Sequence, residues 1–316
     1  MTSASKNRQD KTGLGVLLIV ASCALLSFGD ALVKYFSADF SLWQIYVARS
    51  LIAVPILISL LLRGRPLADI RPRSPRWVLL RSALLVLMWI AYYAALPAMS
   101  LSVAAAALYT TPLFIALFSA RLIGEPVGLR RWMGVATAFA GILIILRPDT
   151  DSFSILALLP IVAAICYALA AIVTRSKCAN ERPLVLSLGL NLCLLGAGAV
   201  AIGSLALLDL NAPEISAYPF LLNQWTAMGP GEWGLITFLA LVIVLVSTGV
   251  AKAYQSGPAT IIGTFDNTYL VFAMLWSFGL FAEMPEPATL IGMALVAIAG
   301  MLVLAGPERT PRRAVR

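Results

Sequence analysis

Ten apolar stretches limit this chain more than any other feature. They lie at roughly 13–35, 42–62, 77–97, 101–121, 131–147, 154–175, 184–208, 234–254, 259–281 and 288–305. Each is long enough to cross a bilayer core of about 30 Å as a helix. Within lipid the backbone must satisfy its own hydrogen bonds, which a helix does locally. Composition agrees: the 316 residues are 60% hydrophobic and 12% charged, against roughly 25% charged in a soluble domain. No soluble fold of this length hides that much apolar surface. The expected fold class is an all-α membrane protein with ten transmembrane helices.

Charge gives the expected orientation. Of the 23 Lys and Arg, all but Lys34, Arg49 and Arg147 fall on one side of the ten-span arrangement. The opposite loops hold Asp39, Asp149, Asp151, Asp209, Glu214, Glu232, Glu283 and Glu286. The positive-inside rule then puts both termini in the cytoplasm, with tails at 1–12 and 306–316. The net charge of +8 is a topology signal, and no nucleic-acid partner is expected. Val20–Cys23 resembles a lipoprotein cleavage site. Losing the first apolar run would leave nine spans and upset the charge pattern, so an uncleaved first helix is expected.

The chain has no histidine, which removes the commonest general base and metal ligand. Cys23, Cys166, Cys178 and Cys193 lack metal-type spacing, and no phosphate-binding or dinucleotide glycine pattern appears. Neither a metal site, a cofactor nor catalytic residues are expected.

The segment Ser102–Leu146 returns 158 positions later as Thr260–Leu304. The gapless overlay puts Thr110 on Thr268, Phe114 on Phe272, Ser119 on Ser277, Glu125 on Glu283 and Gly134 on Gly292. Each copy reads as an apolar helix, a Glu, a turn containing proline and a second apolar helix. Five spans per copy is an odd number, so the second copy must lie inverted relative to the first. Repeats are therefore expected at 13–147 and 154–305. Pro112 should kink the fourth span, and the small residues Gly134, Gly141, Gly292 and Ala299 should pack helices together.

Ionisable groups inside spans normally face protein or water, and pair. Asp30 and Arg49 lie at similar depth and form the expected pair, with Lys34 reaching toward the outer surface. The pair is either a structural tie holding the hairpin or an outer-gate or solute contact. Trp89 and Tyr93 share a helix face, either in a cavity or in an interfacial belt. Thr264–Tyr269 is the densest polar cluster in any span. Asp266 within it is read as a solute contact or proton carrier, or else as a structural partner of Lys252 by depth.

Pro112–Phe114, Gly124-Glu125, Trp132, Gly134 and Gly141, with Asp30, Lys34, Arg49, Arg76 and Arg81, resemble the EamA repeat of the drug/metabolite transporter superfamily. The second copy departs from that pattern: Leu270 stands for Pro112, and Ala282 for Gly124. The resemblance implies a cavity at the repeat interface lined by spans one, three, four, six, eight and nine. It nominates Trp89, Tyr93, Tyr109, Tyr167, Tyr254, Asp266, Asn267 and Tyr269 for the solute, with Asp30, Lys34, Arg49 and Lys252 as gate or ion-pair residues.

The implied function is a secondary carrier in a bacterial inner membrane. The solute would be a small organic metabolite, amino-acid-like, aromatic or cationic, such as S-adenosylmethionine. The alternative is a non-transporting scaffold or regulatory subunit. Expected partners are the small-molecule solute and the lipid bilayer, with proton coupling and a homodimer as further expectations.

Overall fold

The computed structural model describes residues 3–38, 40–63, 70–108, 110–123, 129–146, 155–208, 215–216, 218–257, 259–266, 268–282 and 286–304. Among these residues the fold is helical without strands. The elements are α1 (Ser3–Tyr35), α2 (Leu42–Leu62), α3 (Pro75–Ala95), α4 (Leu101–Leu108), α5 (Thr111–Ile123), α6 (Leu129–Leu146), α7 (Leu159–Ser176), α8 (Pro183–Leu207), α9 (Pro219–Leu222), α10 (Pro230–Ser256), α11 (Ala259–Asp266), α12 (Thr268–Phe281) and α13 (Pro287–Leu304). Among the described residues six helices are long and apolar enough to cross a membrane: Thr12–Tyr35, Leu42–Leu62, Pro75–Ala98, Leu159–Ser176, Pro183–Leu207 and Pro230–Ser256. Helices α4 and α5, α6, α11 and α12, and α13 occupy the remaining four apolar stretches. The helix of the first stretch also runs back to Ser3, through what the sequence marks as a tail, because good helix formers such as Lys and Arg precede Gly13.

Local chemistry sets the helix starts. Proline opens α3, α7, α8 and α10 at or beside the first position, where its missing N–H costs no helical bond. At α2, Ser41 Oγ accepts from the Gln44 N–H at 3.3 Å, an N-cap.

Packing makes the doubling visible. Exchange α1 with α7, α2 with α8, α3 with α10, α4 with α11, α5 with α12, and α6 with α13. Most major helix pairs then map onto one another: α1·α10 onto α3·α7, α3·α8 onto α2·α10, α1·α12 onto α5·α7, α4·α12 onto α5·α11, and α2·α8 and α6·α13 onto themselves, while α8·α10 has no comparable α2·α3 counterpart. This pairing agrees with the doubling expected from the sequence. Gly134 and Gly141 of α6 and Gly292 and Ala299 of α13 are buried where those two helices pack. The same logic acts at Gly198, where a Cβ would meet Val47 Cγ2 at 2.8 Å and Trp43 O at 3.0 Å. Backbone approach of that kind drives helix association in lipid.

The fourth apolar stretch is interrupted. Thr110 forms a turn, with its N–H on Ala107 O at 3.3 Å and its hydroxyl on the same carbonyl at 2.9 Å. The aligned Thr268 donates its hydroxyl to Phe265 O at 2.8 Å. The bond thus recurs in a copy whose next-but-one residue is Leu270, so it does not depend on the proline. After α12, Ala282 sits at φ 52°, the left-handed geometry that ends many helices and favours glycine. The first copy supplies Gly124 at the aligned position; Gly124, Glu125 and Glu283 lie outside the described residues, as does the 306–316 tail.

Candidate functional site

A cavity of about 520 Å³, counting its open mouth, lies where the two halves meet. Its walls include Asp30, Met88, Trp89, Tyr92, Tyr167, Asp266 and Tyr269. Leu26, Leu108, Thr111 and Gly263 complete them. The lining comes from α1, α3, α4, α5, α7, α11 and α12, so both repeats contribute.

Two carboxylates face this space, one from each half, and each is held by phenols. On α1, Asp30 is 2% exposed. It accepts from the Tyr93 hydroxyl at 2.8 Å and from the Tyr269 hydroxyl at 2.6 Å. Tyr92 and Tyr269 share a third bond of 2.7 Å. Because Tyr269 has only one proton, already given to Asp30, Tyr92 must be the donor there. The relay runs from the first half to the second and back. On α11, Asp266 accepts from the Tyr254 hydroxyl at 2.9 Å and from the Cys23 thiol at 3.3 Å. Tyr167 hydrogen-bonds the same carboxylate, and its ring meets that of Tyr254 edge-on at 6.3 Å.

The nominated residues divide by location. Trp89, Tyr167, Asp266 and Tyr269 line the cavity, and Asp30, nominated for the gate, lines it too. Tyr93 and Tyr254 stand one layer back, each 1% exposed, orienting the acids. Trp89 and Tyr93 are buried with rings 4.9 Å apart, the cavity arrangement and not an interfacial belt. Tyr109 and Asn267 lie outside the described residues.

The cations stand differently from the depth-based expectation. Arg49 acts on Asp30 electrostatically, but the oxygens of Asp30 go to phenols while Arg49 Nε and Nη2 have no hydrogen-bond partner among the described residues. Its guanidinium lies 5.6 Å from the Tyr46 ring and 6.0 Å from the Trp89 ring. Lys34 donates to Met99 O at 3.2 Å and stands 4.8 Å over the Phe281 ring. Lys252 is exposed, on the far side of α10 from Tyr254. Sequence reasoning missed Tyr92, Met88 and Cys23. Tyr92 and Met88 flank the nominated Trp89 and Tyr93 on α3, a usable signal; nothing in the sequence ties Cys23 to Asp266.

Two further sets of ties join elements away from the cavity lining. In one, Glu181 accepts from the backbone N–H groups of Arg73 (3.1 Å) and Ser74 (2.6 Å). There Gln255 Nε2 also donates to Cys178 O and Glu181 O at 2.9 and 2.7 Å. In the other, Gln44 donates to Thr226 O at 2.7 Å and accepts its N–H at 3.0 Å.

Comparison with known proteins decides the family. The EamA-like transporter family matches residues 13–147. A riboflavin transporter of Rhizobium johnstonii is 30% identical over 284 residues, covering 88% of this chain and 84% of that protein. The chain belongs to the EamA-like transporter family. Other similar members are a pseudopaline exporter of Pseudomonas aeruginosa, 26% identical over 90% of this chain and 94% of its own, and an S-adenosylmethionine uptake transporter of Rickettsia felis, 22% identical over 96% and 95%. A solved crystal structure shares the fold at a TM-score of 0.66 and 20% identity, over 92% of this chain and 97% of its own. The protein is thus a multi-pass membrane transporter of a small molecule, from a family of bacterial carriers and not of enzymes.

Proposed function

We propose that this EamA-like protein is a secondary-active carrier that moves a small amino-acid-like, aromatic or cationic metabolite across a bacterial inner membrane by alternating access, with both termini cytoplasmic. The observation that carries this reading is the pair of acids, Asp30 from one half and Asp266 from the other, facing one aromatic-walled cavity. Carriers built from inverted repeats bind near the midplane at the repeat interface. Acids supply the attraction for a cationic group. The Trp89, Tyr92, Tyr167 and Tyr269 rings supply stacking and cation–π contact. The relatives named above carry riboflavin, S-adenosylmethionine and pseudopaline, in both directions of flux, so they support the solute class without choosing a solute.

Melting of the purified protein against amino acids, nucleosides, vitamins and methyl donors identifies the solute, and uptake into liposomes measures its transport. The expected outcome is stabilisation by one class, lost in Asp30→Asn and Asp266→Asn together with transport. Stabilisation that survives both substitutions would remove the acids from the site. Protonation of Asp266 is the proposed coupling step. If Asp266→Asn still accumulates solute under a pH gradient as the parent does, coupling does not run through that residue.

A further inference from the structure

Four of the eight buried polar side-chain atoms that lack a hydrogen-bond partner among the described residues belong to one turn of α2: Tyr46 Oη, Arg49 Nε, Arg49 Nη2 and Ser50 Oγ. Positions 46, 49 and 50 share a helix face. Tyr46 and Ser50 are fully buried and Arg49 is 3% exposed. A guanidinium only donates, and a phenol and a serine hydroxyl can donate beside it. A buried charge with unused N–H groups is costly to a fold, and an oxyanion is the ligand that satisfies such a set, through short charge-assisted bonds. Asp30 balances the charge at a distance but does not use these donors, since its oxygens are held by Tyr93 and Tyr269.

The cluster lies against the cavity wall. Trp89, which lines the cavity, has its ring 6.0 Å from the Arg49 guanidinium, and Tyr46 packs at 6.2 Å from Tyr93. We propose that Tyr46, Arg49 and Ser50 form an anion subsite behind Trp89 that takes the carboxylate of the transported solute, which is therefore a zwitterion. Resting on the carrier reading, this assigns two ends to the solute: a cationic or aromatic part between Asp30 and Asp266, and a carboxylate that reaches Arg49 when the Trp89 indole turns aside.

Sodium benzoate is the probe, because it offers a carboxylate and a ring without presuming the solute. Full-length protein in lipid nanodiscs is melted with benzoate, with sodium chloride at equal ionic strength and with benzyl alcohol. Benzoate alone should raise the melting temperature, and Arg49→Gln should abolish the shift. Should Arg49→Gln not fold, the near-isosteric Tyr46→Phe and Ser50→Ala serve. Each removes one hydrogen bond to a charged group and should weaken benzoate roughly tenfold. No benzoate-specific shift in the parent, or an unchanged one in these variants, overturns the subsite. A protein that transports solute yet ignores benzoate keeps the carrier reading and loses only this one.

Discussion

The acids of the two halves are built alike and tied differently. Asp30 is bonded across the seam, since Tyr93 belongs to its own half and Tyr269 to the other. Asp266 takes its phenols, Tyr254 and Tyr167, from its own half. Its described bond across the seam is a thiol at 3.3 Å. A thiol is a weak donor, whereas a phenol bonded to a carboxylate is among the stronger neutral-to-charged bonds. Of the bonds described, the one across the seam is therefore stronger at Asp30 than at Asp266. The alternating access proposed above would have to break the Tyr269–Asp30 bond.

The largest expected effect follows from that asymmetry. Asp30→Leu strands the Tyr93 hydroxyl, leaves Tyr269 with only Tyr92 as a partner, and leaves the Arg49 guanidinium without its counter-charge, at a cost of about 3–5 kcal/mol. Asp266→Leu strands two phenols near enough to pair with each other, and should cost about 1–3 kcal/mol. Thermal unfolding of both variants in the same detergent measures the difference. Equal losses would break the comparison.

Tyrosine hydroxyls sharpen it at the next level. Tyr269→Phe removes the bond to Asp30 and also the acceptor of Tyr92, so a loss of about 2 kcal/mol is expected. Hydrogen exchange in α11 and α12 should speed up with it. Tyr254→Phe removes one bond inside a single half, and should cost about 1 kcal/mol with exchange unchanged. If Tyr254→Phe loosens the seam as much as Tyr269→Phe, the relay through Asp30 is not what holds the halves.

These differences mark the limit of what the sequence carries. Hydropathy and charge specify the ten stretches, because a lipid-crossing helix leaves a long run that no soluble element imitates. Thr110 and Thr268, aligned by the repeat, make the same backbone bond. Spacing along a helix also gives depth, which is what matches Asp30 with Arg49 and Asp266 with Lys252. It does not give the direction a residue faces. Lys252 has the right depth for Asp266, but it lies two residues from Tyr254, about 200° around the helix. With Tyr254 buried against Asp266, Lys252 must face outward. The same holds for Arg49: the phenols that take Asp30 come from α3 and α12, which no local pattern ties to α1.

Cys23 gives the smallest stability effect and the most direct view of the seam. Its side chain is 1% exposed, and all four cysteines are free. Cys23→Ala removes a weak donor from a carboxylate that keeps two phenols, so a loss below about 1 kcal/mol is expected. The thiol is more useful left in place. In a background with Cys166, Cys178 and Cys193 changed to alanine, a maleimide can reach Cys23 only while the halves are apart. Tyr269→Phe removes the firm tie and should raise the labelling rate more than tenfold, because every 1.4 kcal/mol or so multiplies the open population about tenfold and its expected loss is about 2 kcal/mol. Tyr254→Phe leaves that tie intact and should not change the rate. Labelling that is equally slow in both variants would mean that the Asp30 bond is not the one that opening has to break.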